Sequence, residues 1–143
     1  MKLFTIGFTK TTAESFFSKL SKAGVKKVVD IRLNNASQLA GFAKKTDLIY
    51  FLKTICDIDY EHRLELAPTK EILDEYKNNS SWANYEARFL ELLSNRKVEN
   101  ILSSEELKDA CLLCSEDKPQ KCHRRLVAEY LKVKWDDIEI LHL

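Results

Sequence analysis

Glycine and proline are scarce, with three and two in 143 residues, so loops have few markers, and repeats and low-complexity tracts are absent. Charge of one sign is scarce too. The 23 Lys and Arg against 22 Asp and Glu leave a net charge of +1, too weak a field to recruit a polyanion by counterion release. A nucleic-acid role would need a local patch. No apolar run is long enough to span a bilayer, and the opening LFTIGF has no small-residue cleavage site behind it. The expectation is a cytoplasmic protein with no signal peptide and no membrane contact. Cysteines number four, too few for a disulfide framework in a chain of this size, and they are expected to stay reduced.

What is present fits an ordinary globular chain: 45% apolar and 31% charged residues, enough for one α/β domain over 1–143 with a core of its own. Strand-like apolar runs at 2–8, 27–32, 59–66, 111–115 and 138–143 alternate with helical periodicities at 12–23, 47–57, 69–77, 82–95 and 120–132. Thr11 or Thr12 caps the first helix and Gly24 suits a left-handed C-terminal cap. Ser80 or Ser81 caps the long fourth helix, and Ser103-Ser104-Glu105-Glu106 predicts one further short helix. Alternation of this kind predicts a three-layer domain, a mostly parallel sheet of four to five strands flanked by helices. Ligands of such sheets lie beyond the carboxyl ends of the strands. With the first strand central, Gly7-Phe8-Thr9, Asp30-Ile31-Arg32 and Cys114-Ser115-Glu116 converge there.

The segment CLLCSEDKPQKCHRR holds three of the four cysteines. Cys111 and Cys114 have the spacing of a structural zinc pair, but on a strand positions 111 and 114 leave opposite faces. Cys122 and His123, as neighbours on a helix, are splayed by about 100°. The expectation is therefore two half-sites, Cys114 with Glu116 and Cys122-His123-Arg124, and no metal ligand is assigned. Pro119 near the first helical position would leave the amides of Gln120 to His123 free for an anion, with Arg124 adding charge. A structural ion pair of an arginine with Glu116 or Asp30 is the competing reading. A third reading makes Cys114 or Cys122 a nucleophile beside His and Arg, although Cys114 and Arg124 are too far apart for the loop of thiol phosphatases. Asp30 and Arg32 suit an ion pair at a strand end as well as catalysis. Trp82, Tyr85 and Arg88 recur on one helix face, a pattern more typical of core than of ligand stacking. Cys56 reads as packing, and His62 and His142 carry no signal of their own.

The stretches TIGFT, VVDIRLNNAS, DYEHRLELAP, the helix around Tyr85, and LLCSEDKPQKCHRRLVAEYL resemble the domain of unknown function 488 family, which includes the YeaO-like proteins. The resemblance runs over nearly the whole chain. It marks Cys114, Glu116, Cys122, His123 and Arg124 as motif residues, with Gly7, Asp30, Arg32 and Ser37 as companions. It also marks Phe8, Ala36 and Ala67 as departures, where His, Pro and Gly are usual. Together these readings assign Cys114, Glu116, Cys122 and His123 to catalysis and Gly7, Asp30, Arg32, Ser37 and Arg124 to ligand binding. The ligand expected is a small anion, phosphate or nucleotide-like, and no cofactor is assigned. The alternatives are a non-catalytic nucleic-acid or protein-binding module using Lys44, Lys45, Lys118, Lys121 and Arg125, and a metal-binding protein.

Overall fold

The computed structural model describes residues 1–36 and 41–143. Ser37, expected among the ligand-binding residues, lies outside them. Five short strands, β1 (Lys2–Gly7), β2 (Lys27–Asp30), β3 (Asp59–His62), β4 (Ala110–Cys114) and β5 (Glu139–His142), form one all-parallel sheet in the order β3-β2-β4-β1-β5. Six α-helices among the described residues flank it: α1 (Ala13–Ala23), α2 (Lys45–Phe51), α3 (Lys70–Asn79), α4 (Trp82–Arg96), α5 (Val98–Ile101) and α6 (His123–Lys134). The expected α/β layering is what the chain adopts. No described helix is long and apolar enough to cross a membrane.

Strand parity divides the core. In β4, every residue of which is buried, Cys111 and Leu113 face Phe4, Ile6, Val28 and the α1 residues Phe16, Phe17 and Leu20. Ala110, Leu112 and Cys114 face Leu3, Val29 and Ile31, covered by Phe89 and Leu93 of α4 and Leu126, Val127 and Leu131 of α6. A strand covered on both faces tolerates no charged side chain, which is why β4 is written ACLLC.

Local chemistry sets most boundaries. Thr12 accepts the Ser15 amide at 3.1 Å, and Gly24, at φ +79°, closes α1. Ser81, not Ser80, caps α4. Three expectations are corrected. Ser103 does accept the Glu106 amide at 3.2 Å, but only tight three-residue bonds follow, and left-handed Asp109 sends the chain into β4, so no helix forms there. The short helix instead precedes it, as α5. The helix expected from Asp47 starts at Lys45 and widens after Phe51 into a π turn, Leu52–Cys56. Finally, α6 begins at His123 and not at Gln120. Pro119 sits in the turn before it, its carbonyl accepting the Cys122 amide at 3.2 Å, and Cys122 is an extended N-cap at φ −136°, ψ 139°.

From β1 the chain crosses to β2 through α1 on one face, and from β4 it crosses to β5 through α6 on the other. The connections leave the adjacent strands β1 and β4 toward opposite faces of the sheet, and a crevice opens beyond the carboxyl ends of β4 and its other neighbour β2.

Candidate functional site

Three strand ends meet at that crevice. The amides of Phe8 and Thr9 and the Thr9 hydroxyl all donate to the Ser115 carbonyl, at 3.3, 3.1 and 2.9 Å, and the Ile31 amide donates to Leu113 O at 3.1 Å. Gly7 permits this closeness: a Cβ there would lie 1.6 Å from the Glu116 carbonyl oxygen. Arg124 holds the same loop from within. Fully buried, it donates through Nη1 to the Glu116 carbonyl, through Nη2 to Asp117 O at 3.4 Å, and through Nε to Thr5 Oγ1 at 3.3 Å.

The two expected half-sites are one. Cys114 is the last residue of β4 and its parity turns it toward α6. There its Sγ lies 3.1 Å from His123 Nδ1, while His123 Nε2 lies 2.7 Å from the Ile31 carbonyl. A carbonyl only accepts, so Nε2 carries a proton; in the neutral ring Nδ1 is then the acceptor and the Cys114 thiol the donor. The Phe89 ring meets the imidazole edge-on at 5.4 Å. The splay expected between Cys122 and His123 fails because Cys122 is not helical. From its extended cap position it joins the others, and the three ligating atoms lie within 4.8 Å of one another. The parity argument does hold for Cys111, which packs on the far face.

Electrostatics separates the thiols. Burial raises the Cys114 pKa, but hydrogen bonds from the Cys122 thiol and from the Ser115 and Glu116 amides, with the Arg124 charge, outweigh it and hold the group below the ordinary thiol value. Burial and the neighbouring Cys114 sulfur push Cys122 up. Burial likewise pushes Cys111 up. Cys114 is therefore the more acidic thiol of the pair.

Beside the cluster, Asp30 and Arg32 form a buried two-point pair: Nε and Nη2 each donate to a carboxylate oxygen at 2.8 Å, and the Arg32 amide adds a bond at 3.2 Å. Tyr60 donates its hydroxyl to Asp30 Oδ2 at 2.5 Å and accepts from Asn35 Nδ2 at 3.0 Å. Burial raises the Asp30 pKa, but Arg32 and then Tyr60 bring it below its usual value. The Phe8 ring lies 5.1 Å from the guanidinium carbon, so a residue marked as a departure supplies a cation–π contact. Arg32 Nη1 is buried and has no hydrogen-bond partner among the described residues.

Arg32 and the thiol–imidazole cluster border a cavity of about 340 Å³. Arg32, Asn34, Glu116 and Lys121 give it polar walls, Tyr76, Trp82 and Tyr85 an aromatic wall, and Cys114, Cys122 and His123 complete the lining. The Trp82 and Tyr85 rings stack at 5.0 Å and 19°. Their three-residue recurrence marks a helix face that reads as core, and Arg88, third in the series, pairs with Glu75. Sequence reasoning passed over Tyr60 and Tyr76, which no spacing marks, and over His62, whose Nε2 lies 2.8 Å from the Arg32 carbonyl. Gly7, Asp30 and Arg124 are adjacent to the cavity without lining it, and Arg125 is paired with Glu129 at 3.0 Å and Glu86 at 3.9 Å. A second hollow, about 380 Å³ between α1 and the π turn, is lined by Phe17, Phe51 and Ile55 and gathers none of the marked residues.

Searches of curated proteins and of solved structures give no match to the chain. The family model described as domain of unknown function DUF488 matches residues 12–131, which include β2, β4, the thiol–imidazole cluster and every residue lining the cavity. On that match over most of its length, the chain belongs to the DUF488 family.

Proposed function

We propose that the cavity binds a small anionic ligand with a flat ring, nucleotide-like in class, and that Cys114, Cys122 and His123 form its reacting end. One observation carries this reading: Arg32, locked in place by Asp30, is among the residues lining the cavity, and its buried Nη1 has no partner among the described residues. A buried donor of this kind costs free energy until something accepts from it. A phosphate or carboxylate oxygen is the natural acceptor for a guanidinium. Lys121, exposed in the same lining, adds a second cation. The stacked Trp82 and Tyr85 offer a face for a ring, and about 340 Å³ lies within the range of roughly 300–1,000 Å³ common to small-molecule sites. Gly7 and Arg124 act here as positioning residues, seating the loop that carries Ser115 and Glu116.

Calorimetric titration with inorganic phosphate and with nucleoside monophosphates tests the proposal. Monophosphates should bind below millimolar, and Lys121→Ala and Arg32→Gln should each weaken them roughly tenfold, the scale of one charge-assisted hydrogen bond. Trp82→Ala should weaken the nucleotides and leave phosphate unchanged. Absence of heat from both probes at millimolar concentration, or unaltered affinity in both charge variants, would overturn it.

A further inference from the structure

We infer that Cys114, Cys122 and His123 hold a thiophilic divalent cation, zinc in class, through Sγ, Sγ and Nδ1, with the remaining coordination position turned to the cavity. Four observations carry it. First, the three donor atoms come together from a strand end, a helix cap and the first helical residue, all within 4.8 Å of one another and all buried. Tetrahedral zinc, with Zn–S near 2.3 Å and Zn–N near 2.0–2.1 Å, needs donors roughly 3.6–3.8 Å apart. The observed 3.1 Å between Cys114 and His123 needs only a small opening to admit the ion.

Second, the imidazole is already set for a metal. Its Nε2–H is committed to the Ile31 carbonyl at 2.7 Å, which leaves the Nδ1 lone pair directed at the cluster. Fixing the far ring nitrogen on a backbone carbonyl is the usual support of a ligating histidine. Third, the charge balances. Two thiolates side by side in a buried site repel, and a divalent cation neutralises both, each sulfur that enters as a thiol releasing its proton to solvent. Fourth, among the described residues the donor set stops at three. Cys111 faces the opposite side of the sheet, and the three ligands all line the cavity. Three protein ligands with an accessible fourth position mark an exchangeable site and not a closed structural one. Two sulfurs and one nitrogen select a soft cation over magnesium or calcium.

The inference rests on the preceding reading only for what reaches the fourth position; uptake of the ion does not depend on it. Chelator-treated protein titrated with cobalt(II) should develop a near-ultraviolet thiolate-to-cobalt charge-transfer band and intense visible bands of tetrahedral cobalt, saturating at one ion per chain. Zinc should bleach both, and should slow maleimide labelling of Cys114 and Cys122 while Cys56 labels as before. Cys122→Ser, a near-isosteric change, should weaken zinc on the order of 100-fold or more in competition with a chromophoric chelator, beyond the 10–100-fold typical of losing an outer-shell partner. Cys56→Ser, on the half-buried thiol near Phe17, should leave the spectrum unchanged. No charge-transfer band in the folded protein, or equal zinc affinity in Cys122→Ser, overturns the metal site. Lys121→Ala separates the two proposals: a lost phosphate response with an intact cobalt spectrum concerns the ligand alone, and the reverse concerns the ion alone.

Discussion

Gly7 has no side chain because the Glu116 carbonyl occupies the place where one would begin. The obstruction is backbone, so rotamer adjustment cannot relieve it. Gly7→Ala should therefore push the loop after β4 outward, at a cost of about 1–3 kcal/mol, the usual range for overpacking. Denaturant unfolding would measure the loss, and maleimide labelling would report the displaced loop as faster modification of Cys114. A variant with parental stability and labelling rate would contradict the packing assigned to Gly7.

Asp30 acts at the same scale through charge. Its carboxyl is held below the usual value by Arg32 and Tyr60 against the opposing effect of burial. A lowered native pKa contributes stability that is fully present above the unfolded value of about 3.9 and is lost as pH falls through the native one. Stability should thus decline on acidification from about pH 5 downward, and part of that slope should vanish in Asp30→Asn. At neutral pH the same variant strands Arg32 without its counterion and should cost about 3–5 kcal/mol. Urea midpoints measured across the acid range would show both effects. An Asp30→Asn acid limb as steep as the parent's would refute the assignment.

Among the elements, α6 and the loop before it show where sequence reading succeeds and where it stops. The amphipathic run from His123 was legible, since Leu126, Val127 and Leu131 recur at helical intervals and all are buried. The start was not. Pro119 imitates a first-turn proline, and nothing in the periodicity reveals that the chain makes a turn there and enters the helix three residues later. That offset decides the site, because it turns Cys122 from a helical residue pointing away into an extended cap that meets Cys114. Trp82 and Tyr85 were legible as core and not as a cavity wall, for one stack serves both purposes. The loop itself depends on Arg124, each of whose three guanidinium nitrogens makes a hydrogen bond inside the protein. Arg124→Leu would leave the Glu116 and Asp117 carbonyls unpaired, at about 1–3 kcal/mol, and should speed hydrogen exchange across 115–121 before the sheet opens. Exchange in that loop matching the parent would show that the strap is unimportant.

For the whole molecule, the layered parallel sheet was legible because each strand is a short apolar run between helical periodicities, and parity alone placed Cys111 and Cys114 on opposite faces. Strand order was not: the polar DYEH of β3 suits an edge and the KVVD of β2 an interior place, but nothing local to a strand says which strands lie beside it. Order is set instead by long-range pairing, and β1 takes both its neighbours from the far part of the chain. The Thr9 hydroxyl meets Ser115 across 106 residues, and Thr5 meets His142 across 137. On the ribosome, then, the first strand to emerge is among the last to be enclosed. Until β4 and β5 have been translated, β1 presents two bare edges, the state in which a chain is most open to pairing with the wrong partner. The crevice shares that timetable: Gly7 gains its neighbour Cys114 only with β4, and Cys114 gains His123 only with the start of α6, so the cluster is completed late in synthesis.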